Sequence, residues 1–244
     1  MRTIILAAGE GSRLNASNKN LPKLFLEING KTIFEYQLEA LEAVTDRGLV
    51  DSTVSLVLGY GFEQDEKLER DIEDIVSPRN DFTFDPIYFQ RWKDADNSKS
   101  ALKAIKSLES NDHLLLLCGD IVIKPTQLER IASTFINEFA PHGFSAVTAY
   151  EGIQNKMTSV MWNDENFITD YGAIRGHREA GIFIIHEDHI GRAQSLWENA
   201  PDESWFPLVF TEIPTKPILL DNESEHLEIN TDCHYNYAKN SLPF

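Results

Sequence analysis

Thr3-Ile4-Ile5-Leu6-Ala7-Ala8-Gly9-Glu10-Gly11-Ser12-Arg13-Leu14 lies at the head of the chain. Residues 3–8 form a short apolar run ended by glycine, the pattern of a strand buried on both faces. Gly9 to Arg13 then reads as a loop. Glycines just beyond a buried strand let the main chain turn sharply and come close to a ligand. Successive N–H groups in such a turn can cradle phosphate oxygens. Ala7 and Ala8 leave a floor low enough for a flat base. Arg13 brings a permanent charge suited to a pyrophosphate leaving group.

Two other readings of this loop stand beside that one. The first is a plain strand-to-helix turn with Arg13 facing solvent. The second is a dinucleotide-binding loop. Its fingerprint needs a third glycine where Leu14 stands, and an acidic residue about twenty positions on, at the end of a second strand. Glu35 falls inside an expected helix instead.

Outward from the loop, strand and helix patterns alternate. Residues 31–44 carry Ile33, Phe34, Leu38 and Leu41 at helical spacing. Residues 53–58 read as a strand, 65–76 as a charged surface helix, and 84–89 as a strand. Residues 98–108 read as a helix, 114–118 as a buried strand, and 125–139 as a helix with proline in its first turn. This predicts an α/β, Rossmann-like fold with a mostly parallel central sheet flanked by helices. In the second half, residues 144–149, 158–162 and 180–185 read as strands and 187–199 as a helix. Residues 223–229 lead into a last helix at 232–240. With no repeat and no linker, one domain is expected over 1–244, its second half adding an acceptor-binding portion.

The composition excludes several classes. The chain has 244 residues, 42% hydrophobic and 25% charged, as a globular protein with a packed core does. Its net charge of −17 opposes encounter with nucleic acid or an anionic membrane. A phosphate-bearing small molecule remains compatible, held by local cations and N–H groups. Cys118 and Cys233, the only cysteines, make neither a disulfide framework nor a zinc site. Met1-Arg2 leads straight into an apolar run too short to span a bilayer, so no signal peptide is expected and the cytoplasm is the default.

Further residues point to phosphate chemistry. Pro22 fixes the backbone before Lys23, which then leaves a rigid segment and can reach the phosphates of two substrates; an ordinary surface lysine is the alternative. Asp120 follows Gly119 at the C-terminal end of a buried strand, where open α/β sheets bind ligands. A cation there would relieve a buried carboxylate; a local turn cap is the alternative. Glu228 and Asn230 are two apart and share a face on an extended segment. Mg²⁺ takes oxygen ligands and keeps waters, so few protein ligands suffice. Asp232 reads as the cap of the last helix.

The set Leu6-Ala7-Ala8-Gly9-x-Gly11-x-Arg13-Leu14 with Pro22-Lys23 resembles the signature of the sugar-phosphate and phosphocholine nucleotidyltransferase superfamily. Gly59-Tyr60, Gly119-Asp120, Ala180-Gly181-Ile182-Phe183 and Glu228-Ile229-Asn230-Thr231 agree with it. The resemblance implies that Leu6, Ala7, Ala8 and Gly9 meet base and ribose. Gly11, Ser12, Arg13 and Lys23 would meet the triphosphate. Asp120 would be the main Mg²⁺ ligand, with Glu228 and Asn230 beside it. Arg13, Lys23 and Asp120 would carry the catalysis. Family members often have an acid at the place of Asn230, and often Asp at that of His234, which is read as structural.

The implied reaction is in-line attack by an acceptor phosphate on the α-phosphorus of a nucleoside triphosphate. The nucleophile is already ionised, so alignment and charge neutralisation suffice. The implied partners are a nucleoside triphosphate and a phosphorylated small molecule, with no nucleic acid or membrane; a homo-oligomer is left open. Asn97-x-x-Ser100 resembles the Asn-x-x-Ser-Leu element of phosphocholine-type cytidylyltransferases, with Ala101 in place of leucine. CMP transfer to phosphocholine or a related ester is therefore expected. The alternatives are a sugar-1-phosphate nucleotidylyltransferase and a catalytically silent nucleotide-binding relative. The same Asn97 or Ser98 would also serve as a helix cap. The acceptor is expected along residues 170–180, with Tyr171, Arg175, His177, Arg178 and Glu179. Trp92, Trp162, Tyr171 and Trp205 are available for an aromatic cage.

Overall fold

The apolar run after Arg2 forms strand β1 (Arg2–Ala7), whose Ile4 and Ile5 point to opposite faces and are both fully buried. The computed structural model describes residues 1–11, 14, 22–62, 66–79, 82–108, 112–155 and 158–241. The roles expected of Ser12 and Arg13 fall outside these residues.

A two-residue hairpin, β2 (Glu27–Ile28) and β3 (Lys31–Thr32), leads into helix α1 (Ile33–Asp46). Thr32 and Glu35 close a reciprocal capping box: Thr32 Oγ1 accepts from the Glu35 N–H, and the Thr32 N–H donates to Glu35 Oε2 at 2.7 Å. Then follow β4 (Thr53–Leu58), α2 (Glu66–Val76), β5 (Thr83–Tyr88), α3 (Asn97–Ser107), β6 (Leu114–Cys118), β7 (Ile121–Ile123) and α4 (Pro125–Thr134). The second half contains β8 (Ser145–Asn155), β9 (Ser159–Trp162), β10 (Ile168–Gly172), β11 (Arg175–Ile185), α5 (Ile190–Asn199), β12 (Thr215–Leu219), β13 (His226–Glu228) and α6 (Asp232–Ser241).

The result is a single α/β domain. Its central strands β5, β4, β1 and β6 run parallel, with Leu6 level with Val57 on one side and Cys118 on the other. β11 joins β6 antiparallel and also carries β8 and β9. Alternate residues of the central strands feed two cores. Ile5, Leu56, Leu115 and Leu117 pack with Phe34, Leu38 and Leu41 of α1 and Leu128 and Ile131 of α4. Ile4, Val57, Leu114 and Leu116 pack with Ala101 and Ala104 of α3 and Trp197 of α5. Burial on both faces is why these strands read as unbroken apolar runs.

Several boundaries differ from the sequence reading. The helix expected to 139 is α-helical only to Thr134; a wider turn, Phe135–Phe139, and a 3₁₀ turn, Ala140–His142, follow. Pro141 cannot continue an α-helix, and Gly143 at φ 70° completes the stop. β12 contains Pro217, which masked it as a strand; it pairs only with β8 among the described residues, where a missing N–H is tolerated. β11 starts at Arg175 rather than 180, so most of the expected acceptor segment is strand. Among the described residues no helix is long and apolar enough to cross a membrane.

Candidate active site

The parallel strands β1 and β6 end side by side, and Gly119 locks their ends together. Its N–H donates to the Leu6 carbonyl at 2.9 Å. A Cβ there would lie 2.7 Å from Ala7 Cβ and 2.9 Å from the Leu6 oxygen. Only glycine fits, and the chain emerges with Asp120 facing the glycine loop. Leu6, Ala7, Ala8, Gly9, Gly11, Lys23, Asn97, Ser100, Asp120, Glu228 and Asn230 all line one cavity of about 630 Å³. Every described residue singled out by the sequence as a nucleotide, metal or catalytic residue is thus on one wall system.

Lys23 opens a 3₁₀ turn (Lys23–Phe25) after Pro22. Its ammonium donates to Asp120 Oδ2 at 2.7 Å and to Asn230 Oδ1 at 2.9 Å. Gly11 sits at φ 65°, and a Cβ on it would lie 2.8 Å from the Lys23 stem. The segment bearing Glu228 and Asn230 is fastened by β13, which pairs with β7, and by the Ile229 N–H, which donates to the Asp120 carbonyl at 2.8 Å. The Asn230 N–H donates to His234 Nδ1 at 3.3 Å, which gives His234 its structural place. Thr231, not Asp232, caps α6: its Oγ1 accepts from the His234 N–H at 3.3 Å. Asp232 is the first residue of the helix itself.

The donor set suits Mg²⁺. A carboxylate and an amide oxygen already converge on one cationic group, the Lys23 ammonium, and hard oxygen donors of this kind suit that ion. Among the described residues no three His, Cys, Asp or Glu side chains form a ready cage. Behind these residues lies Glu179, buried, accepting from the Tyr171 hydroxyl at 3.1 Å and from the Gly181 N–H. Burial, reinforced by the charge of Glu228, pushes its carboxyl up to about 8.

At the other end of the cavity, α3 is capped by Asp96, whose side chain accepts from the Asn97 N–H; the cap is neither Asn97 nor Ser98. Asn97 Oδ1 accepts from the Phe206 N–H at 2.7 Å, so this oxygen anchors a loop instead of standing open to a base. Ser100 Oγ donates back to the Asn97 carbonyl at 2.9 Å, and Ser100 is among the residues lining the cavity. Asp96 Oδ2 also accepts from Trp205 Nε1 at 3.1 Å, and the Asp96 N–H donates to the Asp202 carbonyl at 2.7 Å. Arg91 pairs with Asp202 at 2.6 Å. These bonds lace residues 91–98 to 202–206, and pattern reading could not find them: the partners of the side-chain bonds lie 109 or 111 positions apart.

Trp92, Tyr171 and Trp205 line this end, with Asp94, Asp96, Asp202 and Glu203. The Lys93 ammonium lies 4.7 Å from the centre of the Trp92 ring, so that ring already meets a cation. Trp162 is elsewhere, stacked on His177 at 3.7 Å. Of the segment 170–180, Tyr171 and Glu179 reach the cavity. Arg178 turns away to Glu223 at 3.0 Å and the face of Tyr150, and Arg175 is exposed.

Residues 3–180 match the model of the MobA-like NTP transferase domain. The chain belongs to this family. Among curated relatives, a choline-phosphate cytidylyltransferase of Streptococcus pneumoniae is 39% identical over 69 residues, 28% of each chain. A CMP-5'-(3-aminopropyl)phosphonate synthase of Streptomyces rubellomurinus is 30% identical over 198 residues, 78% of this chain and 26% of the relative. The chain therefore spans about a quarter of the length of these relatives. Among solved structures, the CTP:phosphocholine cytidylyltransferase of Streptococcus pneumoniae superposes with a TM-score of 0.69 at 17% identity, over 98% of this chain and 97% of that one. A UDP-glucose pyrophosphorylase gives a TM-score of 0.73 at 18% identity over 98% and 97%. At such identities these likenesses speak for the fold.

Proposed function

We propose that this NTP transferase moves CMP from CTP, with Mg²⁺, onto a small phosphate ester with a cationic head, phosphocholine being the model acceptor. The observation that carries the reading is one cavity with two unlike ends. One end offers a glycine loop, Lys23 and Asp120. The other offers aromatic rings and four carboxylates against one lysine, Lys93. The first suits a triphosphate. The second suits a positive charge, by cation–π contact and by Coulomb attraction.

The acceptor phosphate, already ionised, attacks the α-phosphorus in line as pyrophosphate departs. Gly9 and Gly11 let the main chain approach the phosphates. Asp120, Asn230 and Glu228 would hold Mg²⁺, which supplies charge neutralisation at the phosphates when bound. Lys23 and Arg13 add fixed positive charge along the departing pyrophosphate. The acceptor's head, held between Trp205, Tyr171 and the carboxylates, would set its phosphate against the α-phosphorus.

For the base, the proposal has Ser100 Oγ, which lines the cavity, accept from the amino group of cytosine. Uracil would leave that oxygen unpaired, at a cost of about 1–3 kcal/mol, or roughly tenfold to a hundredfold. The printed functions of the relatives above, a cytidylyl transfer to choline phosphate and a CMP-aminopropylphosphonate synthesis, support both the nucleotide and a cationic acceptor. A pyrophosphate-release matrix tests it: four nucleoside triphosphates against phosphocholine, phosphoethanolamine and glucose 1-phosphate. The fastest pair should be CTP with a cationic ester. A preference for glucose 1-phosphate would replace this reading with the sugar-1-phosphate one, and no release with any pair would leave a silent nucleotide binder.

A further inference from the structure

Lys23 stands where a metal ion would. Its ammonium takes an oxygen of Asp120 at 2.7 Å and the amide oxygen of Asn230 at 2.9 Å, two of the oxygens assigned above to Mg²⁺. The contact is sheltered: the two charged side chains are 15% and 18% exposed. The stem passes so close beneath Gly11 that a methyl group there would collide with Cγ and Cε. The carboxylates of Asp120 and Glu228 line the same cavity beside the buried Glu179 carboxyl, on which both their charges act.

We infer that Lys23 is the free protein's own counter-ion at the metal site, and that a divalent cation reaches Asp120 and Asn230 only by displacing it. The inference rests on the Mg²⁺ reading above. An ammonium bonded to an oxygen occupies the approach a metal would use, and two positive groups a few ångströms apart repel in a partly buried site. A triphosphate removes the conflict by giving the ammonium phosphate oxygens to bind. Cation and nucleotide then load together, and the cation alone binds weakly. Without Lys23, Asp120 loses the ammonium that balances its charge and draws the cation in.

The test is Mn²⁺ titration of the full chain, with free Mn²⁺ read by electron paramagnetic resonance. Lys23→Met should bind Mn²⁺ about tenfold or more tightly than the wild type, and Lys23→Arg, which keeps the charge, should not. Equal affinity in the wild type and Lys23→Met overturns the inference. A second measurement needs no variant: acylation of the Lys23 amine, read by peptide mass spectrometry, should rise in the wild type as Mn²⁺ saturates the site. Unchanged labelling across the titration overturns the inference even if Lys23→Met fails to fold. Mn²⁺ bound by no form, with or without CTP, would instead remove the metal reading and this inference with it.

Discussion

Gly119→Ala should damage both stability and turnover, and the structure sets the size of the damage. The new methyl would sit 2.7 Å from Ala7 Cβ and 2.9 Å from Ala7 Cα. Ordinary contact begins near 3.4 Å, so the ends of β1 and β6 must part by about 0.7 Å. The obstacles are backbone and a short side chain at a buried strand end, and neither can swing aside. Overpacking of this kind costs roughly 1–3 kcal/mol. For a domain of this size that lowers Tm by roughly 2–12 °C. The shift also carries Asp120, the next residue, away from Lys23 and the glycine loop. Displacement approaching 1 Å costs about a hundredfold in turnover. Gly191→Ala is the control: Gly191 is exposed in α5 with nothing within 4 Å of the added methyl. Helix propensity there favours alanine by up to about 1 kcal/mol, so Tm should hold or rise and pyrophosphate release should not change. Thermal melts and pyrophosphate release with the best substrate pair read both variants. Wild-type Tm and turnover in Gly119→Ala would refute the steric argument and the placement of Asp120 built on it.

Asp120→Asn should keep the fold, by circular dichroism, and lose nearly all pyrophosphate release; full turnover at ordinary Mg²⁺ would end the metal assignment. Trp205→Leu should raise KM for a cationic acceptor by roughly 2- to 30-fold, on the scale of a cation–π contact, while KM for CTP moves less; equal effects on both would place Trp205 outside the acceptor end. His226 is buried, and burial together with the Arg178 charge lowers its pKa from 6.5 to about 4. The unfolded chain therefore binds this proton first, so stability is full above pH 6.5 and falls as pH drops toward 4, by up to about 3 kcal/mol. Urea unfolding of the metal-free protein across that window should show the fall, and His226→Leu should flatten it; parallel pH curves would exclude His226 as the source.

Physical pattern made much of this fold legible. The strands at 53–58 and 114–118 were found to the residue, because burial on both faces leaves an unbroken apolar run between polar turns. β7 escaped because three residues carry no period, and β12 because Pro217 argues against a strand except at an edge. The cap of α3 was assigned one or two residues too late, to Asn97 or Ser98: Asp96, Asn97 and Ser98 are all good caps by type, and only geometry chooses. At the site, the signature residues placed Lys23 and Asp120 in one cavity although they lie 97 positions apart. The end proposed for the acceptor was legible only in part. Sequence supplied Trp92, Tyr171 and Trp205 as unplaced aromatics, and chose residues 170–180 as the lining. Strand alternation turns Arg178 away from the cavity and Glu179 into it, which is a fact of register that this stretch did not disclose.

The lacing between residues 91–98 and 202–206 gives the protein a detachable vocabulary. The phosphate end is written on strand termini and tolerates no rewording, as Gly119 shows. The end proposed for the acceptor is written on two segments that fasten to each other: Arg91 to Asp202, Asp96 to Trp205, Asn97 to the main chain at Phe206. A change in one loop alone would break a bond in the other. Descendants of this sequence that take up a new acceptor should therefore exchange the two loops as a phrase, and a graft of both together should carry its substrate with it into a relative whose strands are untouched.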